Sequence, residues 1–340
     1  MTGRPARDNG LFRQIIRRRS KTGRGTEYTH GPRASFQPPS PDMTLPILVG
    51  IGEILWDLFP DGPRFGGAPA NFACTAAGMA GRVATVEMVS AVGTDDLGTQ
   101  ALASLRSHGV GVSQIPQLGF PTGQVLVELD SRGHASYTFA SNTAWDNLSW
   151  NASLADLAAR TDLVCFGTLG QRSSPSLQTI RQFVEGTPSA AWRLLDINLR
   201  PPHWSPSVIR ESLPLANAIK LNDEELAQLS PLLDLAGPEP LRLEQLLRRY
   251  SLRLVALTRG ERGSVLLSAT GERSELPGER VTVADTVGAG DAFTAALALG
   301  LVADQPLSEI HRRASRIAAY VCTQKGATPG IPAEFLLERP

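Results

Sequence analysis

No run of apolar residues in this sequence approaches the eighteen or so that cross a bilayer, so nothing in it reads as a membrane span. Cysteine is scarce. Cys74, Cys165 and Cys322 lie far apart in apolar surroundings, an odd number without a spacing pattern. That excludes a disulfide framework and suits reduced core thiols in a cytoplasmic protein. The five histidines are scattered, and no Cys/His/carboxylate group has metal-ligand spacing. Neither familiar phosphate motif is complete. The pattern G-x-x-x-x-G-K-[ST] does not occur, which excludes a P-loop enzyme. Gly50-Ile51-Gly52 lacks the third glycine of a dinucleotide fingerprint and leads to Pro60-Asp61-Gly62-Pro63 instead of a helix, a poor fit to a dehydrogenase.

Net charge is also missing, 33 Lys/Arg against 33 Asp/Glu, but the charges are unevenly spread. Residues 1–42 hold nine Lys/Arg and three Asp/Glu, a net of +6, so residues 43–340 hold 24 and 30, a net of −6. A mildly acidic body argues against nucleic acid as the main partner. The basic stretch is rich in Arg, Gly, Pro and Ser and closes on Pro38-Pro39-Ser40-Pro41, so it is expected to be a disordered tail. Organelle targeting and a polyanion-binding tail are open readings of it. The plainest one takes Met43 as the working initiator, just ahead of the first strand. The body, 43–340, is long enough for one substantial α/β domain.

Within the body, strand and helix alternate. Ile47-Leu48-Val49-Gly50-Ile51 is a continuous apolar run, as in a strand buried on both faces. Gly66-Gly67-Ala68-Pro69-Ala70-Asn71 then opens a small-residue helix from Phe72 to Ala80, stopped by Gly81. Strands over 83–89, 163–166, 194–197, 218–221 and 254–258, with helices over 96–108, 176–184, 223–229 and 241–250, predict a doubly wound, mostly parallel sheet. One region departs from this rhythm. Gln124 to Leu129 and His134 to Phe139 alternate around a turn at Asp130-Ser131-Arg132-Gly133, which predicts a half-exposed hairpin. Elements projecting over strand ends often act as lids.

The chemistry concentrates in Asp285-Thr286-Val287-Gly288-Ala289-Gly290-Asp291. A β-branched run, Val281-Thr282-Val283, precedes it, and an apolar helix from Ala292 to a glycine stop at Gly300 follows. Two glycines at such a turn let N–H groups point outward at a helix start, a site for an anion. Asp291, beside it, is placed to take a proton from a group attacking a phosphate. The bland alternative makes Asp291 a helix cap and the glycines a simple turn.

With Gly66–Asn71 and Asp285–Asp291, two further stretches complete a set in fixed order: Lys220-Leu221-Asn222-Asp223-Glu224-Glu225 and Leu257-Thr258-Arg259-Gly260-Glu261-Arg262-Gly263. Together they resemble the ribokinase-like (phosphofructokinase B) family of carbohydrate kinases over essentially all of 46–335. The resemblance implies a three-layer α/β/α sandwich with a mostly parallel central sheet and a small β-lid formed by about 54–66 and 120–141. It implies ATP as donor, Mg²⁺ as cofactor and a sugar as partner. By the same resemblance Asp291 is the base, and Gly288, Ala289 and Gly290 offer N–H groups to the transferred phosphoryl. Asn222 and Glu225 orient Mg²⁺ through water, with a capping box as their structural role. Thr258, Gly260, Lys325 and Gly326 line the nucleotide site. Carbonyls of Asp285 and Val287 offer a site for K⁺, although Val287 stands where ribokinases carry threonine. Asp57, Gly67 and Asn71 match the sugar-binding positions. A homodimer stays open.

The acceptor sugar is less marked. Asp196-Ile197-Asn198-Leu199-Arg200-Pro201-Pro202-His203-Trp204 resembles a stretch of fructokinases and 2-keto-3-deoxygluconate kinases. Gly167-Thr168-Leu169-Gly170 stands where ribokinases carry a sugar-binding glutamate, which counts against ribose. Phe139-Ala140-Ser141-Asn142 lacks the arginine that deoxygluconate kinases, and often fructokinases, place after the lid strand. Fructose, phosphorylated at its terminal hydroxyl, is the expected substrate. Ribokinase-type and deoxygluconate kinases, and a non-catalytic sugar- or nucleotide-binding relative, are the alternatives.

Overall fold

The computed structural model describes residues 45–129 and 135–337; the basic tail and the hairpin turn expected at 130–133 lie outside the described residues. The chain enters through β1 (Ile47–Ile51), β2 (Leu55–Phe59) and β3 (Gly62–Gly66), then α1 (Ala68–Ala80) and β4 (Thr85–Val89). A two-residue strand β5 (Val92–Gly93), α2 (Asp96–Ser107), β6 (Gly111–Gln114) and a second two-residue strand β7 (Gln117–Leu118) lead to β8 (Gly123–Leu129) and β9 (Ala135–Phe139). The second half runs α3 (Ala152–Arg160), β10 (Leu163–Phe166), α4 (Ser174–Gly186), β11 (Trp192–Asp196), α5 (Pro206–Ser212), β12 (Ala218–Asn222), α6 (Asp223–Leu232) and α7 (Glu239–Arg249). It closes with β13 (Leu254–Thr258), β14 (Ser264–Ser268), β15 (Arg273–Leu276), α8 (Ala289–Val302) and α9 (Leu307–Cys322).

Nine strands form the central sheet in the order β15-β14-β13-β12-β11-β10-β1-β4-β6. The seven from β13 to β6 are parallel, and β14 and β15 add an antiparallel edge. Successive strand residues feed opposite cores, which is why these strands read as unbroken apolar runs. Leu48, Met88, Cys165 and Leu194 join Phe72 of α1, Leu105 of α2, Phe293 of α8 and Ile317 of α9 in one core. Val49, Val89, Val164 and Leu195 join Leu154, Phe183, Ile209, Leu226 and Leu246, from α3 to α7, in the other. The result is the expected three-layer α/β/α sandwich. Strand order reverses at β1, with β4 on one side and β10 on the other, and such a switch point opens a crevice at the carboxyl ends of the strands.

A second sheet, β3-β2-β8-β9, projects from this body. Its inner face is apolar: Leu55, Val125 and Trp145 pack with Leu169 and Phe139, while Leu126, between Val125 and Val127, is exposed. That alternation is the hairpin periodicity read from the sequence.

Two local expectations fail. Val281-Thr282-Val283 is not a strand; the segment is exposed and pairs with no strand among the described residues. β-branched residues favour a strand only where a partner edge accepts them. Nor does Gly300 stop the last buried helix, since α8 continues to Val302. A Cβ at Gly300 would stand 2.6 Å from Ile310 Cγ1, so this glycine is where α8 and α9 come together.

Candidate active site

The site grows from the start of α8. Gly288 caps the helix with φ 80°, in the left-handed region, and a Cβ there would lie 2.5 Å from Ala327 O. Only glycine meets both demands. Ala292 N–H closes a helical bond on Gly288 O at 2.8 Å. The N–H groups of a helix's first turn have no intrahelical acceptor and carry the positive end of its dipole. Gly288, Ala289 and Gly290 are half-buried, so that end is open to a ligand.

Asp291, in the same turn, is buried, and its Oδ2 accepts a hydrogen bond from Asn71 Nδ2 at 2.8 Å. The two residues lie 220 positions apart and meet because α1 and α8 pack side by side. Gly67, φ 106°, begins α1 and accepts from Asn71 N–H through its carbonyl at 2.8 Å. Burial, and then the like charge of Asp196, push the Asp291 carboxyl above its usual range, while Asn71, Lys220 and Arg200 pull it partly back. A carboxylate with raised proton affinity at an anion-binding helix start can accept a proton from a hydroxyl attacking a phosphoryl group. Asn71 Oδ1 is buried with no partner among the described residues, an acceptor that a hydroxyl donor would satisfy.

The acceptor side is closed by β2. Asp57 is half-buried, and desolvation raises its carboxyl to about 6 against the attraction of Arg200 and Arg64. The positive charge of Arg200 also tempers Glu53 and Asp291. Glu53, just past β1, is buried with Oε2 unpartnered, and burial raises it to about 7.

On the donor side a cavity of about 1030 Å³ runs from Thr258 and Gly260 to Thr286, Ala289 and Gly290. Val281, Val283, Ala318 and Cys322 give it apolar walls, which accounts for the exposed valines after β15. Its size suits a nucleotide. Lys325 and Gly326 are not among its walls. Lys325 is exposed, and Gly326 N–H donates to Asp285 Oδ2 at 3.1 Å while Val287 N–H donates to Oδ1 at 3.0 Å. Asp285 thus ties the C-terminal loop to the glycine turn. Asn222 and Glu225 form the capping box of α6: Glu225 N–H donates to Asn222 Oδ1 at 2.8 Å, and Asn222 N–H to Glu225 Oε2 at 2.8 Å. Glu225 Oε1 takes Leu199 N–H at 2.9 Å. Among the described residues no three His, Cys, Asp or Glu side chains are grouped to hold a metal ion. With both Glu225 oxygens taken by backbone N–H groups, the set fits Mg²⁺ only as an ion carried mainly by phosphates and water, which is how Mg²⁺ is ordinarily bound.

Sequence reasoning passed over four charged residues that the fold draws to this crevice: Glu53, Asp196, Arg200 and Lys220. All stand beside glycines or inside quoted motifs, yet nothing local says they converge.

A helix start open to a nucleotide-sized cavity, with a buried carboxylate in its first turn and a doubly wound sheet beneath, suits a phosphotransferase acting on a hydroxyl. The comparisons with known proteins narrow this class. Residues 62–334 match the description "pfkB family carbohydrate kinase", and the chain belongs to that family. It is 31% identical over 308 residues to a fructokinase of Klebsiella pneumoniae, covering 85% of this chain and 97% of that protein. A probable fructokinase of Arabidopsis thaliana is 30% identical over 317 residues, covering 85% and 94%. Among solved structures, the fructokinase of Xylella fastidiosa with bound ATP superposes with a TM-score of 0.71 at 25% identity, over 84% of this chain and 95% of that one. No described helix is long and apolar enough to cross a membrane.

Proposed function

We propose that this carbohydrate kinase transfers the γ-phosphoryl group of ATP to the terminal hydroxyl of fructose, giving fructose 6-phosphate and ADP. The observation that carries the reading is the buried Asp291–Asn71 pair at the open start of α8, joined to the likeness with fructokinases along most of the chain. In this reading the sugar is held by Asp57, Asn71 and the backbone at Gly67. Asp291 accepts the hydroxyl proton as the sugar oxygen bonds to the γ-phosphorus and the bond to the β-phosphate oxygen breaks. The N–H groups of Gly288, Ala289 and Gly290 stabilise the charge spread over the phosphoryl oxygens. Mg²⁺, when bound with the nucleotide, supplies further neutralisation of phosphate charge, with Glu225 and Asn222 on its side of the site. Thr258 and Gly260 contact the nucleotide, with Lys325 and Gly326 supporting from behind the turn. Backbone carbonyls of Asp285 and Val287 supply a K⁺ site.

The β2–β3 and β8–β9 strands act as a lid that excludes water, which competes with the sugar for the phosphoryl group. A coupled ADP-release assay over fructose, ribose, 2-keto-3-deoxygluconate and nucleosides tests the assignment, and repeating it in KCl and NaCl tests the cation. Preference for any acceptor other than fructose would refute the substrate assignment. ADP release independent of every acceptor would refute the kinase assignment itself.

A further inference from the structure

Beneath the glycine turn lies an ion pair that the proposed mechanism does not use. Asp196 ends β11 and Lys220 stands opposite it in register on β12, both buried, with Lys220 Nζ 3.1 and 3.2 Å from the two carboxylate oxygens. Thr294 of α8, fully buried, places its Oγ1 2.9 Å from Asp196 Oδ2 and 2.9 Å from Gly290 O. Lys220 Nζ would also lie 3.1 Å from a Cβ at Gly290. The two strand ends therefore reach the first turn of α8 from below, and the missing side chain of Gly290 leaves the room in which the ammonium sits.

Removing two charges from water costs more than their mutual attraction commonly returns, and an apolar pair of the same volume would hold the layers together as well. Sheet–helix cohesion is already supplied by Phe293, Leu297 and their neighbours. The partners of this buried ion pair point to the turn above it.

Given the phosphoryl-transfer reading, on which this rests, we propose that Asp196 and Thr294 are positioning residues for the reaction. Asp196, held in place by Lys220, shares the single Thr294 hydroxyl proton with Gly290 O, and this fixes the direction of the first-turn N–H groups and of the Asp291 carboxylate. Ground-state binding of sugar and nucleotide is made elsewhere, by β2, α1 and the large cavity. The arrangement therefore acts on the transition state more than on affinity.

The test is steady-state kinetics of ADP release with fructose and ATP on Thr294→Val, Thr294→Ser and Asp196→Asn, with thermal unfolding of each. Thr294→Val keeps the volume and removes the hydroxyl. Its kcat should fall by roughly 10²-fold, the usual cost of misplacing a reacting group by about an ångström. Both KM values should stay within about threefold, the pattern of an interaction made in the transition state. Thr294→Ser, which restores the hydroxyl, should recover most of the rate.

Asp196→Asn removes the like charge that faces Asp291, leaving Lys220 of β12, Arg200 from the loop after β11, and Glu53 past β1 as its charged neighbours. The acid limb of the kcat profile should move to lower pH. A strap with no bearing on catalysis would lower the unfolding temperature and leave kcat and the acid limb where they were; that result would overturn the inference. If Thr294→Val does not fold, Thr294→Ala removes the same hydroxyl with less bulk and is read by the same criteria. Absence of sugar-dependent turnover in the unaltered protein would instead remove the kinase reading and this inference together.

Discussion

Replacing Asp291 by Asn separates the proposed base from a purely structural side chain, since Gly288, not Asp291, caps α8. The side chain keeps its size, and its amide oxygen can replace Asp291 Oδ2, 2.8 Å from Asn71 Nδ2, as the acceptor. What disappears is the proton acceptor, whose contribution is roughly 10²–10⁴-fold in rate, or about 2.7–5.4 kcal/mol of barrier at 1.36 kcal/mol per decade. With the proposed sugar contacts of Asp57 and Gly67 untouched, KM for fructose should change by no more than about threefold. Stability should move the opposite way. Burial raises the Asp291 carboxyl above 3.8 in the folded protein, so the unfolded chain ionises first and ionisation costs stability. The sign follows: no cost below 3.8, a cost that grows as pH rises through the folded value, and the full cost above it. Asp291→Asn should therefore unfold at a higher temperature than the unaltered protein at pH 8 and lose that advantage near pH 3.5. Coupled ADP release gives kcat and KM, and scanning calorimetry at the two pH values gives stability. A variant turning over within about threefold of the unaltered protein would refute the base assignment and leave Asp291 a structural partner of Asn71.

Three more outcomes follow from the same geometry. Gly300→Ala forces a Cβ to 2.6 Å from Ile310 Cγ1, so it should cost roughly 1–3 kcal/mol by overpacking, with kcat at 25 °C unchanged; unaltered thermal unfolding would contradict the close crossing of α8 and α9. Asp57, raised to about 6, should bind sugar best when ionised, so KM for fructose should climb as pH falls through that value, and Asp57→Asn should abolish the dependence; an unchanged KM profile would remove Asp57 from the sugar site. Joining Leu126 to Thr138, which face each other across β8 and β9, by an Asn-Gly turn trims the lid while keeping its register. Sugar-dependent ADP release should drop while sugar-independent release stays equal or rises, and unchanged sugar-dependent turnover would reject the lid role.

Much of this protein is determined by local chemistry. Continuous apolar strands demand cover on both faces, and together with intervening amphipathic helices that alone implies a doubly wound sandwich. The turn Gly288–Asp291 is legible because a left-handed cap has few residue solutions, and the alternation of Val125, Leu126 and Val127 marks a sheet with one wet face. Asn222 and Glu225 are legible as a capping box for the same reason: both partners lie within one turn of chain.

Only the tertiary structure decided what distance in sequence conceals. Asn71 bonds Asp291 because two small-residue helices pack closely, and Asp196 reaches Thr294, 98 residues on, because β11 ends beneath α8. Val281 and Val283 have strand propensity but pair with no strand among the described residues; they wall the large cavity instead. Gly300, a stop signal in isolation, serves a helix crossing whose partner, Ile310, no local rule would nominate. Propensity acts over a few residues, whereas the placement of charges and close contacts depends on which strand lies next to which.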